Sequence, residues 1–256
     1  MAGHRLKMAE FNFYSGTSNL VVPVKNKSFF PEEYRDKTRL SFYASLFNSV
    51  EINSSFYKMP LARTVAKWAS EVPDDFRFTF KLIQTVTHSV KRQFDTNPIK
   101  EFMERISAAG AKRGCLLVQL PPSFSIDIVQ LGELLSTFAS IEPDQQWPLA
   151  VEFRHASWYT DPVFELLNNY NATMVLHDIR KCPAPIELTS DQLVYLRFHG
   201  PEGGYRGSYT DQFLAEYASY IHEWMDEGRT VYAYFNNTMG SAVQNLMTLN
   251  DLVKSD

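Results

Sequence analysis

Eight short runs of apolar and β-branched residues recur along the chain, and nearly every one closes on polar or charged side chains. They lie at 11–18, 49–57, 76–82, 114–120, 149–158, 172–178, 193–199 and 230–237. Seven helix-length segments separate them, at 31–47, 63–70, 99–111, 126–141, 162–170, 210–226 and 241–253. Continuous apolar runs of this length read as strands buried on both faces. Strands that alternate with helices specify a parallel sheet wrapped by helices. Spread over 256 residues, eight units of about 32 residues predict a single (β/α)8 TIM-like barrel. The link 179–192 is short and holds Pro183 and Pro185. The sixth helix is therefore expected to be missing or reduced to a turn. One domain is expected over 11–256, preceded by a leader or flexible segment at 1–10. That segment carries His4, Arg5, Lys7 and Glu10, so it lacks the apolar core of a secretory signal.

Composition narrows the partners. The chain is 45% hydrophobic and 21% charged, an ordinary globular balance. A net charge of −4 gives no global basic field toward nucleic acid or a membrane. No apolar run reaches the roughly 18 residues of a membrane span. No membrane partner is expected, and a cytoplasmic location follows by default. A local basic patch leaves nucleic acid open as a partner, and the oligomeric state is left open too. Cys115 and Cys182 have no metal-type spacing and read as reduced structural thiols.

In a barrel of this kind all strand ends meet at one rim, which carries the site. The polar groups at those ends are Ser18, Glu51 with Asn53, Lys81, Gln119, Glu152 with Arg154, Asp178, Arg197 with His199, and Asn236. The strand starts show no such collection. Paired carboxylates suit acid/base work, so Glu51, Glu152, Asp178 and His199 are the candidates for catalysis. Arginine forks and an ammonium hold carboxylate or phosphate. Lys81, Arg154 and Arg197 are therefore candidates for binding, joined by Asn53, Tyr57, His88, Gln119, His155 and Asn236. The expected ligand is a small molecule, anionic or sugar-like, and no cofactor is required.

Two other readings compete. Glu51, Glu152, Asp178 and His199 could instead hold Mg, Mn or Zn, as in a metal-dependent endonuclease-like or sugar-isomerase-like barrel. Three nearby cations and the lack of an HExxH signature weigh against that set. A non-catalytic binding protein could use the same rim. The stretch 200–207 is glycine-rich without phosphate-loop spacing, and reads as a mobile loop over the rim with Tyr205, Arg206 and Tyr209 as contacts.

Motifs spread over nearly the whole chain add a resemblance. They are Phe29-Phe30-Pro31, Val50-Glu51-Ile52-Asn53 with Phe56-Tyr57 and Pro60, Phe78 with Lys81, and Thr87-His88. Further on come Gln119-Leu120-Pro121-Pro122 with Phe124, Glu152-Phe153-Arg154-His155 with Ser157-Trp158, Asp178, Arg197 with His199-Gly200, and Phe235-Asn236-Asn237. Together they resemble the barrel family named domain of unknown function 72, also called YecE-like. The resemblance implies a TIM-like barrel and supplies no substrate or reaction. One departure stands out: the family's first strand usually leads into a Gly-Trp loop, whereas Asn19-Leu20-Val21-Val22 follows Gly16-Thr17-Ser18 here.

Overall fold

The computed structural model describes residues 12–88 and 94–255. The expected leader 1–10, and Phe11 of the first run, lie outside the described residues. Eight parallel strands form one sheet: β1 (Phe13–Thr17), β2 (Ser49–Ile52), β3 (Arg77–Lys81), β4 (Arg113–Gln119), β5 (Leu149–Glu152), β6 (Thr173–His177), β7 (Leu193–Phe198) and β8 (Thr230–Phe235). Hydrogen-bonded neighbours run β1-β8-β7-β6-β5-β4-β3-β2. The larger helices are α1 (Arg39–Leu46), α3 (Ala62–Ser70), α5 (Thr96–Ile106), α6 (Ile128–Ile141), α7 (Asp161–Asn169), α8 (Asp211–Asp226) and α9 (Ala242–Lys254), and two single turns are α2 (Ser54–Tyr57) and α4 (Gln84–Thr87). No helix lies in 178–192, as the two prolines there led one to expect. None of the described helices is long and apolar enough to cross a membrane.

Alternation along each strand sorts the core into two shells. Outward residues such as Val50, Phe78, Phe80, Leu116, Val118 and Val151 pack in the large cluster shared with the helices. Inward residues form a smaller cluster of Cys115, Leu117, Ala150, Val175, Leu193, Tyr195, Tyr232 and Tyr234. Tyrosine fills the barrel's interior because its hydroxyl finds partners there. The Tyr234 hydroxyl lies 2.6 Å from Ser49 Oγ and 2.8 Å from Thr79 Oγ1.

The ring closes between β1 and β2, and it closes mostly through side chains. One parallel bridge joins Ser18 to Glu51, and Asn19 N–H donates to Glu51 O at 2.7 Å. Below it, Asn48 Oδ1 accepts from Ser15 N–H at 2.9 Å and Asn48 Nδ2 donates to Phe13 O at 2.8 Å. The buried Tyr43 hydroxyl accepts from Thr17 N–H at 2.7 Å and donates to Ser49 O at 3.0 Å. Gly16 is needed at this joint: a Cβ there would sit 2.1 Å from Ser49 O.

Three elements differ from the sequence reading, each for a local reason. The helix expected over 31–47 forms only at Arg39–Leu46, where Thr38 Oγ1 accepts from Ser41 N–H. Before it, the chain makes short 3₁₀ turns at Lys27–Phe29 and Glu32–Tyr34. The second strand stops at Ile52 rather than reaching 57. Ser55 Oγ lies 2.6 Å from Ile52 O and 2.7 Å from Lys81 O, its one hydrogen shared between the two carbonyls, which pins the α2 turn against β3. The helix expected at 99–111 ends at Ile106 and continues as a 3₁₀ segment, Ser107–Lys112, with Gly110 in the left-handed region at φ +61°.

Candidate functional site

The strand ends meet at the carboxy-terminal rim, and their charges form one connected network. Arg197 on β7 lies at its centre and is 1% exposed. Its Nη2 donates to Glu51 Oε1 at 2.7 Å, and its Nη1 donates to Glu152 Oε2 at 2.5 Å. Those partners come from β2 and β5. Glu51 also accepts from Ser18 Oγ at 2.6 Å and from the Tyr195 hydroxyl at 2.6 Å. Glu152 Oε1 accepts from Arg154 Nε. Both carboxylates are 0% exposed. Burial alone would raise both acids, but the charge and hydrogen bonds of Arg197 outweigh it for Glu51 and hold that carboxyl below its ordinary range. Glu152 is held well below it by the charges of Arg154 and Arg197.

A second tier lies beside this clamp. His199 N–H donates to Asp178 Oδ1 at 2.7 Å, and Asp178 Oδ2 accepts from the Tyr209 hydroxyl. His199 Nε2 sits 3.3 Å from Arg197 Nη1 and 3.3 Å from Arg154 Nη2. Guanidinium groups only donate, so Nε2 carries the lone pair and the proton resides on Nδ1. That nitrogen is 3.6 Å from Asp178 Oδ1 and 3.2 Å from Arg197 O. Burial lowers the pKa of His199 despite the opposing Asp178 carboxylate, so the ring is neutral near pH 7. Hydrogen bonds from His199 and Tyr209 overcome the burial of Asp178 and lower its pKa too. His177 is buried and pushed down to about 4 by burial. Its Nε2 lies 2.8 Å from Phe153 O.

The third group, on β3 and β4, is a cation with neutral neighbours. Lys81 is 9% exposed; its Nζ donates to Gln119 Oε1 at 2.6 Å and sits 4.2 Å from the Phe56 ring centroid. Among the described residues its ammonium has no carboxylate at ion-pair distance. Burial and the Arg197 charge push its pKa down to about 8, with Glu152 and Glu51 opposing. His88 packs edge-on against Phe56 with centroids 5.0 Å apart, and its Nδ1 lies 2.8 Å from Thr87 Oγ1. Its pKa is lowered by burial and by the charges of Lys81 and Arg154.

The remaining sequence candidates stand apart from these contacts. Asn53 lies just past β2, where its N–H donates to Asn19 Oδ1 at 3.2 Å and its own Oδ1 is buried without a partner among the described residues. Tyr57 is 72% exposed, because the chain turns into α2 instead of continuing the strand. His155 is exposed and caps the 3₁₀ turn Ala156–Trp158 through Ser157. Asn236 is half-buried, with its N–H on Phe198 O at 2.7 Å. Its neighbour Asn237 is the buried one, donating to Gly207 O and to Asn245 Oδ1 at 3.0 Å each. Tyr209, read as a loop contact, is buried and accepts from Gly200 N–H at 2.6 Å; Tyr205 is the exposed ring, 6.1 Å from His199. Sequence reasoning missed Tyr195, which looks like one more core aromatic inside an apolar run. Its two-residue offset from Arg197 on the same strand face was the available signal.

A divalent cation does not fit the four-residue set considered for it. Glu51 and Glu152 present their oxygens to guanidinium and hydroxyl donors, and Asp178 presents its own to His199 and Tyr209. Among the described residues no other group of three or more His, Cys, Asp or Glu is arranged to hold a metal.

Known proteins match this chain over about half to nearly all of its length. The UPF0759 protein YunF of Bacillus subtilis is 25% identical over 246 residues, 83% of this chain and 85% of YunF. The UPF0759 protein YecE of Escherichia coli K12 is 36% identical over 123 residues, 48% of this chain and 43% of YecE. A solved DUF72 family protein from Thermotoga maritima superposes with a TM-score of 0.76 at 25% identity, covering 95% of this chain and 99% of that one. One from Enterococcus faecalis gives 0.78 at 21% identity, covering 95% and 96%. The family described as protein of unknown function DUF72 matches residues 14–256, strand ends included, and the chain belongs to that family.

Proposed function

We propose that the carboxy-terminal rim binds a small anionic ligand and acts on it by acid–base chemistry. One observation carries the reading: Lys81 is a buried ammonium whose contacts are an amide oxygen and a phenyl ring. An ion withdrawn from water without a counter-ion is costly, and a ligand anion is the natural completion. Arg154, only partly buried and close enough for its charge to be felt at Lys81, adds a forked donor. In this reading Glu51 and Glu152 are positioning residues that fix Arg197 and Arg154. Proton transfer falls to His199, whose Nε2 lone pair is set by the proton on Nδ1 and whose ring is oriented by Asp178.

Isothermal titration with inorganic sulfate and phosphate, then with phosphorylated and carboxylated sugars, tests the binding half. Wild type should bind, and Lys81→Gln and Arg154→Gln should each weaken binding by about tenfold or more. Equal affinity in all three proteins overturns the reading. His199→Ala separates catalysis from simple binding, because an enzyme loses turnover of a bound ligand while a binding protein loses nothing.

A further inference from the structure

The loop 200–207, which follows β7, brings an aromatic ring to the rim. Tyr205 is 42% exposed, and its ring centroid lies 6.1 Å from that of His199. Its φ of +64° falls in the left-handed region that a bulky side chain rarely enters. Gly203, Gly204 and Gly207 around it have positive φ as well, where glycine is unstrained. Within the loop the strain therefore falls on Tyr205. The β8–α9 connection fastens this conformation. Met239 N–H donates to Tyr205 O at 3.1 Å. Ser241 N–H and Asn237 Nδ2 donate to Gly207 O at 3.2 and 3.0 Å. Gly240 packs so closely that a Cβ there would sit 2.4 Å from Gly207 O. A strained residue held fixed by its surroundings beside a site is a pointer to function.

We infer that Tyr205 determines the specificity of the rim, and that the anion bound there is carried on a flat aromatic ring stacked against it. This inference rests on the anion site proposed above and names its ligand class. The Arg154 guanidinium and the Tyr205 ring both adjoin one imidazole: Arg154 Nη2 is 3.3 Å from His199 Nε2. A single small ligand can thus place its charge on the cation, its ring on Tyr205 and its body against His199. The supply of acceptors favours an aromatic ring over a sugar. Glu51 and Glu152 are 0% exposed and bound to protein donors, and Asp178 accepts from His199 N–H and Tyr209. Sugar hydroxyls would find few carboxylate oxygens to donate to. Cations and ring faces are what the rim has to offer, and a ring face asks only for stacking.

Isothermal titration of the full chain with inorganic phosphate, phenyl phosphate and glucose 6-phosphate reads the preference directly. Phenyl phosphate should bind about tenfold tighter than inorganic phosphate, and tighter than the sugar phosphate. Tyr205→Gly should leave inorganic phosphate unchanged and bring phenyl phosphate to within about twofold of it. Its unfolding temperature should hold, because glycine accepts the left-handed backbone. Tyr205→Phe should keep the preference, which assigns it to the ring and not the hydroxyl. Lys81→Gln should weaken both phosphates together and preserve their ratio. If inorganic phosphate saturates the protein but phenyl phosphate binds no tighter, this inference falls and the anion site stands. A preference that survives Tyr205→Gly, or tighter binding of the sugar phosphate, has the same consequence. Failure of all three ligands to saturate the protein overturns both.

Discussion

Two cations at the same end of the barrel are handled in opposite ways. Arg197 is clamped between two carboxylates, and its charge is matched within the protein. Lys81, almost as buried, is given an amide and a phenyl ring instead. The first arrangement has its counter-charge within the protein; the second has none at ion-pair distance among the described residues. The difference teaches where to look for affinity: in the group whose electrostatics the protein leaves unfinished, rather than in the group with the most partners.

The sharpest way to break this contrast is to remove each cation. Arg197→Met would strand Glu51 and Glu152 as buried anions and should lower the unfolding free energy by about 3–5 kcal/mol, read from urea denaturation. Lys81→Met should go the other way. It removes a poorly compensated charge, so stability should hold or rise, while sulfate affinity in titration should fall by about tenfold or more. A comparable stability loss in both variants would erase the distinction.

Alkaline pH sharpens the contrast further. The Lys81 pKa is about 8 when folded against an ordinary value of 10.5. The folded state sheds this proton before the unfolded state does, so stability rises as pH climbs from about 8 toward the unfolded pKa. Sulfate keeps its charge across this range, and its affinity should decline as pH passes 8. Affinity that is flat to pH 10 contradicts the role given to Lys81. Glu51 and Glu152 slope the same way in a lower window: their pKa values are lowered on folding, so the stability they lend is present above the ordinary carboxylate range and is lost as pH falls from there through the lowered values. A smaller effect is expected from Tyr209→Phe, which removes the hydrogen bonds to Asp178 and from Gly200 N–H and should cost about 1–3 kcal/mol. His199, less firmly oriented, should then titrate differently by NMR.

The barrel was legible because the eight apolar runs and their breakers are local signals. The gathering of Glu51, Glu152, Arg154, Asp178 and Arg197 followed from the barrel alone, since parallel strand ends share a rim. Pairing was not legible. Arg197 reaches Glu152 across 45 residues and Glu51 across 146, and no periodicity encodes which carboxylate an arginine will meet. Burial was hidden for the same reason. Two glutamates at strand ends read as a candidate catalytic pair, and both are 0% exposed. Tyr57 was placed on a strand that stops at Ile52, since Ser55 redirects the chain through side-chain bonds that a strand pattern cannot anticipate.

The joint between β1 and β2 has a consequence for the chemistry. The barrel is a hoop fastened by a clasp of Asn48 and Tyr43 side chains, and the last link of that clasp is Ser18 against Glu51. The same Glu51 grips Arg197. Loosening the fastener therefore slackens the charged centre, and whatever steadies that centre also tightens the hoop.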